Sequence, residues 1–117
     1  MYLLIIELFH IEYKEDILLA LSSCGITKGS VIEGQNIDKL LEADIPLFSG
    51  LIKSAFQKEQ YGLMIYAAVE SRDKAAEIRD LLKEADIDIT REHILRMLLV
   101  PVEMLIDDET TFGTDKE

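Results

Sequence analysis

The sequence predicts a single α+β domain: a four-stranded antiparallel sheet, two helices on one of its faces, and a long insertion between the second and third strands. Three observations predict it. Short apolar runs alternate with segments of helical spacing in the order strand, helix, strand, strand, helix, strand. The two halves echo each other, since Ile17, Leu21 and Ile26 fall on Ile78, Leu82 and Ile87 after a shift of 61 positions. Between the halves lies 34–60, GQNIDKLLEADIPLFSGLIKSAFQKEQ, a connection longer than compact domains ordinarily keep without a use for it.

Each element follows from local pattern. Tyr2 to Phe9 is short and almost continuously apolar, as in a strand buried on both faces, with Glu7 as its interruption. His10 to Tyr13 is a brief connection. Lys14 to Cys24 carries Ile17, Leu18, Leu21 and Cys24 at helical spacing, and Gly25 stands where a helix ends on a left-handed residue. Ile26 to Glu33, with Val31 and Ile32, reads as the second strand. Within the insertion, Asn36 caps a short helix over 37–42, with Asp38 near its positive end. Asp44-Ile45-Pro46 is a second helix start. Leu47, Leu51 and Ala55, beside Phe48, Ile52 and Phe56, then form two columns on one helical face, although Gly50 costs that helix about 1 kcal/mol relative to Ala.

The second half repeats the plan. Tyr61 to Val69 is the third strand. Ser71 caps a helix whose apolar face is Ile78, Leu81, Leu82 and Ala85, and Ala85 to Asp88 ends it. Ile94 to Val102 is the fourth strand, bounded by Pro101. The domain is expected over 1–106. Residues 107–117 make an acidic tail that begins near Leu105 and carries Asp107, Asp108, Glu109, Asp115 and Glu117, expected to be frayed or held only by a partner. Two strand–helix–strand units of this kind build the ferredoxin-like βαββαβ sandwich. Its helices cover one sheet face. The first and third strands are apolar at successive positions, so the bare face predicts homo-oligomerisation.

Composition narrows the function. The chain has 117 residues, of which 49% are hydrophobic, enough for one core. Twelve Lys and Arg against 23 Asp and Glu leave a net charge of −11, which excludes a nucleic-acid binder and electrostatic adhesion to an anionic membrane. The single Cys24 lies in an apolar helical pattern and is expected to be a small core residue. No apolar run approaches the ~20 residues of a membrane span, and Met1-Tyr2 leads straight into a strand without the pattern of a signal peptide. A reducing, cytoplasmic location is the expectation.

No catalytic constellation is visible, and a non-enzymatic protein is expected. Nothing links Ser49 or Ser71 to the two histidines, His10 and His93. No Cys-x-x-Cys or His-x-x-x-His spacing offers a metal site. Two groups carry recognition chemistry instead. Arg91, His93 and Arg96 gather positive charge ahead of the fourth strand and suit an anion; the competing reading spends them on Asp86, Asp88 and Glu92. Gly34 permits close ligand approach, and Gln35 with Asn36 supplies neutral amides that can read a ligand's edge; the competing reading is a plain turn. The face Phe48, Leu51, Ile52 and Phe56 suits a partner's groove, or packing on the sheet or at a subunit seam.

Three segments carry a family resemblance. Gly25-Ile26-Thr27-Lys28-Gly29 is similar to the Gly-Val-x-Gly turn before strand two of the PII family. Val100-Pro101-Val102-Glu103 resembles the Val/Ile-Pro-Val-Glu that closes that family's fourth strand, and the insertion resembles its T-loop in place and length. Over roughly residues 2 to 104 the chain thus resembles the trimeric PII signal-transduction proteins, in their divergent PII-like branch. The resemblance implies a homotrimer with sheets facing inward and a small effector, usually an adenine nucleotide, in the clefts between subunits. It also implies control of a protein target, such as a membrane transporter or a metabolic enzyme in nitrogen or transport regulation, through the T-loop. By position, Gly34 and Gln35 match the T-loop base that lines the cleft. Two departures qualify the carry-over. Residues 86–93, DIDITREH, hold none of the glycines and no lysine of the family's nucleotide loop, so the donors that grip ATP phosphates are missing and the effector stays unknown. No tyrosine lies between Tyr13 and Tyr61, which removes the tyrosine modification of some members. Two other readings stay open: a metal-handling trimer of the similarly folded CutA type using His10 or His93, and a structural oligomer without an effector.

Overall fold

The computed structural model describes residues 1–37, 40–41, 61–91 and 93–113. Strand β1 (Tyr2–Leu8) passes through a single 3-10 turn (Ile11–Tyr13) into helix α1 (Lys14–Ser23). Strands β2 (Ser30–Gln35) and β3 (Tyr61–Val69) flank the insertion, and helix α2 (Arg72–Glu84) leads to β4 (Leu95–Pro101). The sheet order is β2-β3-β1-β4, every neighbour antiparallel. This is the expected ferredoxin-like α+β sandwich, with a long insertion between β2 and β3. The helix over Leu47 to Phe56 and its face Phe48, Leu51, Ile52 and Phe56 lie outside the described residues, as does the helix start at Asp44-Ile45-Pro46. The expected short helix over 37–42 is described in part: the amide of Leu40 donates to the carbonyl of Asn36 at 2.9 Å.

Strand alternation sorts the side chains. Leu4, Ile6 and Leu8 of β1 and Leu63, Ile65, Ala67 and Val69 of β3 are buried toward the helices. There they meet Ile17 and Leu21 of α1 and Ile78 and Leu82 of α2. Ile17 and Ile78, the residues that the internal repeat superimposes, are both fully buried at 0% exposure, so the repeat marks the matching core position of each half. Each such side chain contributes about 1.5–3 kcal/mol by leaving water. Cys24 is buried in the same core, as expected, and burial pushes its thiol pKa up.

Both helices end in the same motif. After α1, Gly25 takes φ +79°, its amide donates to Ser22, and the amide of Ile26 reaches back to Leu21 at 2.9 Å. After α2, Asp86 takes φ 63°, its amide donates to Lys83, and the amide of Ile87 reaches back to Leu82 at 2.8 Å. These are paired Schellman caps, which satisfy carbonyls the helices leave open and fold Ile26 and Ile87 back onto the core. The cap corrects one boundary. The second strand was expected from Ile26, but Ile26 is spent on the cap and β2 begins at Ser30, running on to Gln35. Ser71 does occupy the N-cap position of α2, yet its side chain makes no capping hydrogen bond.

The acidic end differs from expectation. Instead of fraying, Leu105–Ile106 (β5) pairs with Thr111–Phe112 (β6) in a hairpin; residues 114–117 lie outside the described residues. The reason is Asp107, whose carboxylate accepts the amides of Glu109 at 2.8 Å and Thr110 at 2.5 Å and so organises the turn. Those donors hold its pKa below the ordinary aspartate value. Lys28 ties the hairpin back to the α1–β2 connection through Glu109 at 2.6 Å.

The other sheet face is bare. Leu3 and Ile5 of β1, Ile32 of β2, Met64 and Tyr66 of β3, and Leu98 and Val100 of β4 share it by register. Ile32, Leu98 and Val100, on the two edge strands, are 44%, 39% and 43% exposed, which leaves apolar surface uncovered on this face. At one end of this face a charged pair, Glu7 and Arg96, replaces the apolar pattern.

Candidate functional site

The topology brings the ends of all four strands to one edge. β1 and β2 finish there while β3 and β4 begin, because each pair of neighbours is antiparallel. A cavity of about 560 Å³ opens at this edge, within the size range of small-molecule sites. Its lining includes Glu7, Leu8 and Phe9 from the end of β1, Gly34 and Gln35 from β2, and Gly62, Leu63 and Met64 from β3. His93 and Arg96 enter from the β4 side; Asn36, Ile37 and Leu41 enter from the start of the insertion. A smaller hollow of about 260 Å³ lies between α1 and β2 over Leu18, Leu21, Ile26 and Val31; its cation, Lys28, is already engaged by Glu109.

Five of the residues singled out from the sequence therefore meet in one cavity: Gly34, Gln35, Asn36, His93 and Arg96. Gly34 and Gln35 are not in a turn but are the last two residues of β2, opposite Gly62 and Tyr61. Arg91, expected in the same cluster, is not among the residues lining this cavity. Its Nε lies 3.3 Å from the Asp88 carboxylate, so the competing ion-pair reading holds for this residue.

The loop before β4 is built around that same carboxylate. Asp88 accepts the amide of Thr90 at 3.0 Å and its hydroxyl at 2.7 Å, and these two bonds hold its pKa below the usual aspartate range. The amide of Thr90 is thus spent within the loop, beside a negative charge, where a phosphate cradle would need it open.

Arg96 and Glu7 are direct cross-strand neighbours on the bare sheet face. The guanidinium holds the carboxylate with two parallel bonds, Nε to Oε2 at 2.5 Å and Nη2 to Oε1 at 3.1 Å. That hydrogen bonding raises the already high pKa of Arg96, which keeps it a permanent cation. The fork uses the Nε–Nη2 edge and leaves the two Nη1 hydrogens outside it. Beside it, the rings of Phe9 and His93 stack at 4.3 Å with an interplanar angle of 9° and form an aromatic plate. His10, by contrast, is exposed, with Nδ1 3.7 Å from Glu12. Among the described residues, no group of three or more His, Cys, Asp or Glu is placed to hold a metal ion.

Two glycines give the cavity its open floor. Gly34 and Gly62 are directly opposed across β2 and β3. A Cβ built on Gly62 would stand 2.7 Å from the Leu8 carbonyl oxygen and 3.2 Å from Oδ1 of Asn36, so only glycine lets the Asn36 amide settle against the sheet. A Cβ on Gly34 would meet nothing within 4 Å, which leaves that position open toward a ligand.

Sequence reasoning missed Glu7, Phe9, Gly62 and Met64. Glu7 left a trace, as the lone acid in an apolar strand, but its partner emerges only from the β1–β4 register. No protein-family model matches the chain, and no curated protein matches it. Among the described residues no helix is long and apolar enough to cross a membrane.

Proposed function

We propose that the chain is a non-enzymatic, homotrimeric regulator of the PII-like type, working in the cytoplasm. It binds a small effector bearing an anionic group in the cavity at the strand ends and signals through the insertion to a protein target, such as a transporter or a metabolic enzyme. The observation that carries this reading is the composition of the cavity wall. Asn36, Ile37 and Leu41 belong to the root of the insertion, while Glu7, Gln35, His93 and Arg96 belong to the sheet end. A ligand touching both contacts the root differently in each arrangement of the insertion, and that difference is what shifts a conformational population. The apolar face Phe48, Leu51, Ile52 and Phe56 is the surface through which the insertion would engage its target. The bare sheet face supports self-association, and the cavity shares Glu7, Met64 and Arg96 with that face, so a neighbouring copy would border the site.

The test is a thermal-shift screen against adenine nucleotides, 2-oxoglutarate, bicarbonate, inorganic phosphate and amino acids. A ligand selective for the folded state raises the melting temperature in proportion to the logarithm of its concentration. At least one compound is expected to do so, and Arg96→Ala is expected to abolish the shift while Arg91→Ala leaves it intact. Light scattering is expected to give three times the 13.3 kDa chain mass, and Leu98→Glu to reduce it to the single-chain value. A screen with no stabilising compound, or a monomeric wild-type protein, overturns the proposal.

A further inference from the structure

We propose that the ligand of this cavity is a zwitterion, a small molecule carrying both a carboxylate and an ammonium group, which lies head to tail against the Glu7–Arg96 pair. The inference rests on the effector reading above and specifies the chemical class it leaves open.

The charges of the site lead there. Among the described lining residues the titratable groups are Glu7, His93 and Arg96; every other one is neutral. Among these described residues the one permanent cation is already held by the one carboxylate in a two-bond fork. Among the described lining residues, then, a polyanion such as a triphosphate would meet permanent charges that sum to zero, and would face the Glu7 carboxylate at close range. Repulsion between like charges in a partly desolvated cleft costs more than the half-neutralised arginine returns. A zwitterion has the opposite balance. Its carboxylate accepts from the Nη1 edge of Arg96, and its ammonium donates to the lone pairs that Glu7 keeps after accepting one bond on each oxygen. The two dipoles lie antiparallel, and no net charge is added to the cleft.

Accessibility agrees. The side chains of Arg96 and Glu7 are 63% and 33% exposed, so neither charge is sealed away, and both residues line the cavity. The neutral amide of Gln35 lies in the same wall, opposite Tyr61 in register, and offers both a donor and an acceptor to the ligand's substituent. Glu7 then acts in two ways: it orients the Arg96 fork and receives the ligand's cation. An ion pair that only steadied the sheet edge would do the first alone.

The experiment compares ligands that differ by one charge on one protein. The probes are the common amino acids, each N-acetylated counterpart, which lacks the cation, and each carboxamide, which lacks the anion, with inorganic phosphate and ATP alongside. Thermal shift followed by calorimetry is expected to find an amino acid that binds, and either capping group is expected to weaken it by about tenfold or more, the loss of one charge-assisted hydrogen bond. Glu7→Gln is expected to lower affinity for that amino acid by a similar factor while leaving its N-acetylated form bound at least as well, since the like charge is gone; Arg96→Gln lowers both. If phosphate or ATP binds and no amino acid does, the class is wrong and the effector reading stands. If no compound of any class binds, both fail. An amino acid whose affinity is indifferent to Glu7→Gln or to N-acetylation overturns the assignment to this pair.

Discussion

The facing glycines at the cavity floor make opposite predictions under the same substitution. Gly62→Ala places a methyl group 2.7 Å from the Leu8 carbonyl oxygen, a backbone atom of the neighbouring strand, and 3.2 Å from the Asn36 amide. Neither can withdraw without disturbing the β1–β3 ladder or the first turn of the insertion, so the cost is that of overpacking, about 1–3 kcal/mol. Gly34→Ala adds the same methyl where nothing lies within 4 Å. It removes a glycine from a strand, which is worth about 0.5–1 kcal/mol in favour of the variant through the unfolded chain. Gly62→Ala receives the same unfolded-chain gain, so the two proteins should differ by the overpacking alone, about 1–3 kcal/mol, or on the order of 4–15 °C in melting temperature for a domain of this size. Urea denaturation followed by circular dichroism measures both. A Gly62→Ala protein as stable as Gly34→Ala would refute the close approach of β1, β3 and Asn36, and with it the stated shape of the floor. The same pair separates fold from function: Gly34→Leu should retain wild-type stability and lose effector binding.

Other expectations follow from single features. Asp86→Gly should raise stability by about 0.5–1 kcal/mol, because the left-handed residue after α2 at φ 63° then matches Gly25 after α1; an unchanged or lower urea midpoint would count against the cap. Ile78→Ala should cost about 2–5 kcal/mol, since the side chain is 0% exposed between α2 and the sheet; a loss under 1 kcal/mol would mean that it is not buried there. Asp88 and Asp107 both have folded pKa values below the ordinary aspartate value of 3.8, so each contributes stability above pH 3.8 that is lost as pH falls through its lower folded value. Titration of the carboxyl resonances by NMR should find both midpoints below 3.8, and a midpoint at or above it would remove Asp107 as the organiser of the terminal hairpin.

Much of the frame was legible because it depends on periodicity and local chemistry. The apolar run at Tyr2 to Phe9, the helical spacing of Ile17 and Leu21 and of Ile78 and Leu82, and the repeat relating the halves all report which face of an element must leave water. Gly25 announced its cap because few other residues sit easily at positive φ; Asp86 did not, since aspartate takes that conformation less often. The hairpin at 105–113 was hidden for a related reason. Its acids suggested repulsion and fraying, whereas Asp107 turns its charge inward onto two backbone amides, an arrangement that charge counting does not reveal.

For the site, sequence alone determined the ingredients: an amide pair beside a glycine at the root of an insertion, and a cationic group before the last strand. Tertiary structure decided which of these meet. Arg91 and Arg96 look equivalent in sequence, yet Arg91 is held by Asp88 three residues away, while Arg96 projects from β4 beside Glu7, 89 residues distant. That choice depends on strand register, because a shift of one residue in β4 would turn Arg96 to the helix side and separate it from Glu7. Local patterns specify which elements form and which faces they bury. The pairing of distant side chains across a sheet is settled only when the whole core selects one register, and so the charge balance of the cavity belongs to the fold rather than to any segment of the chain.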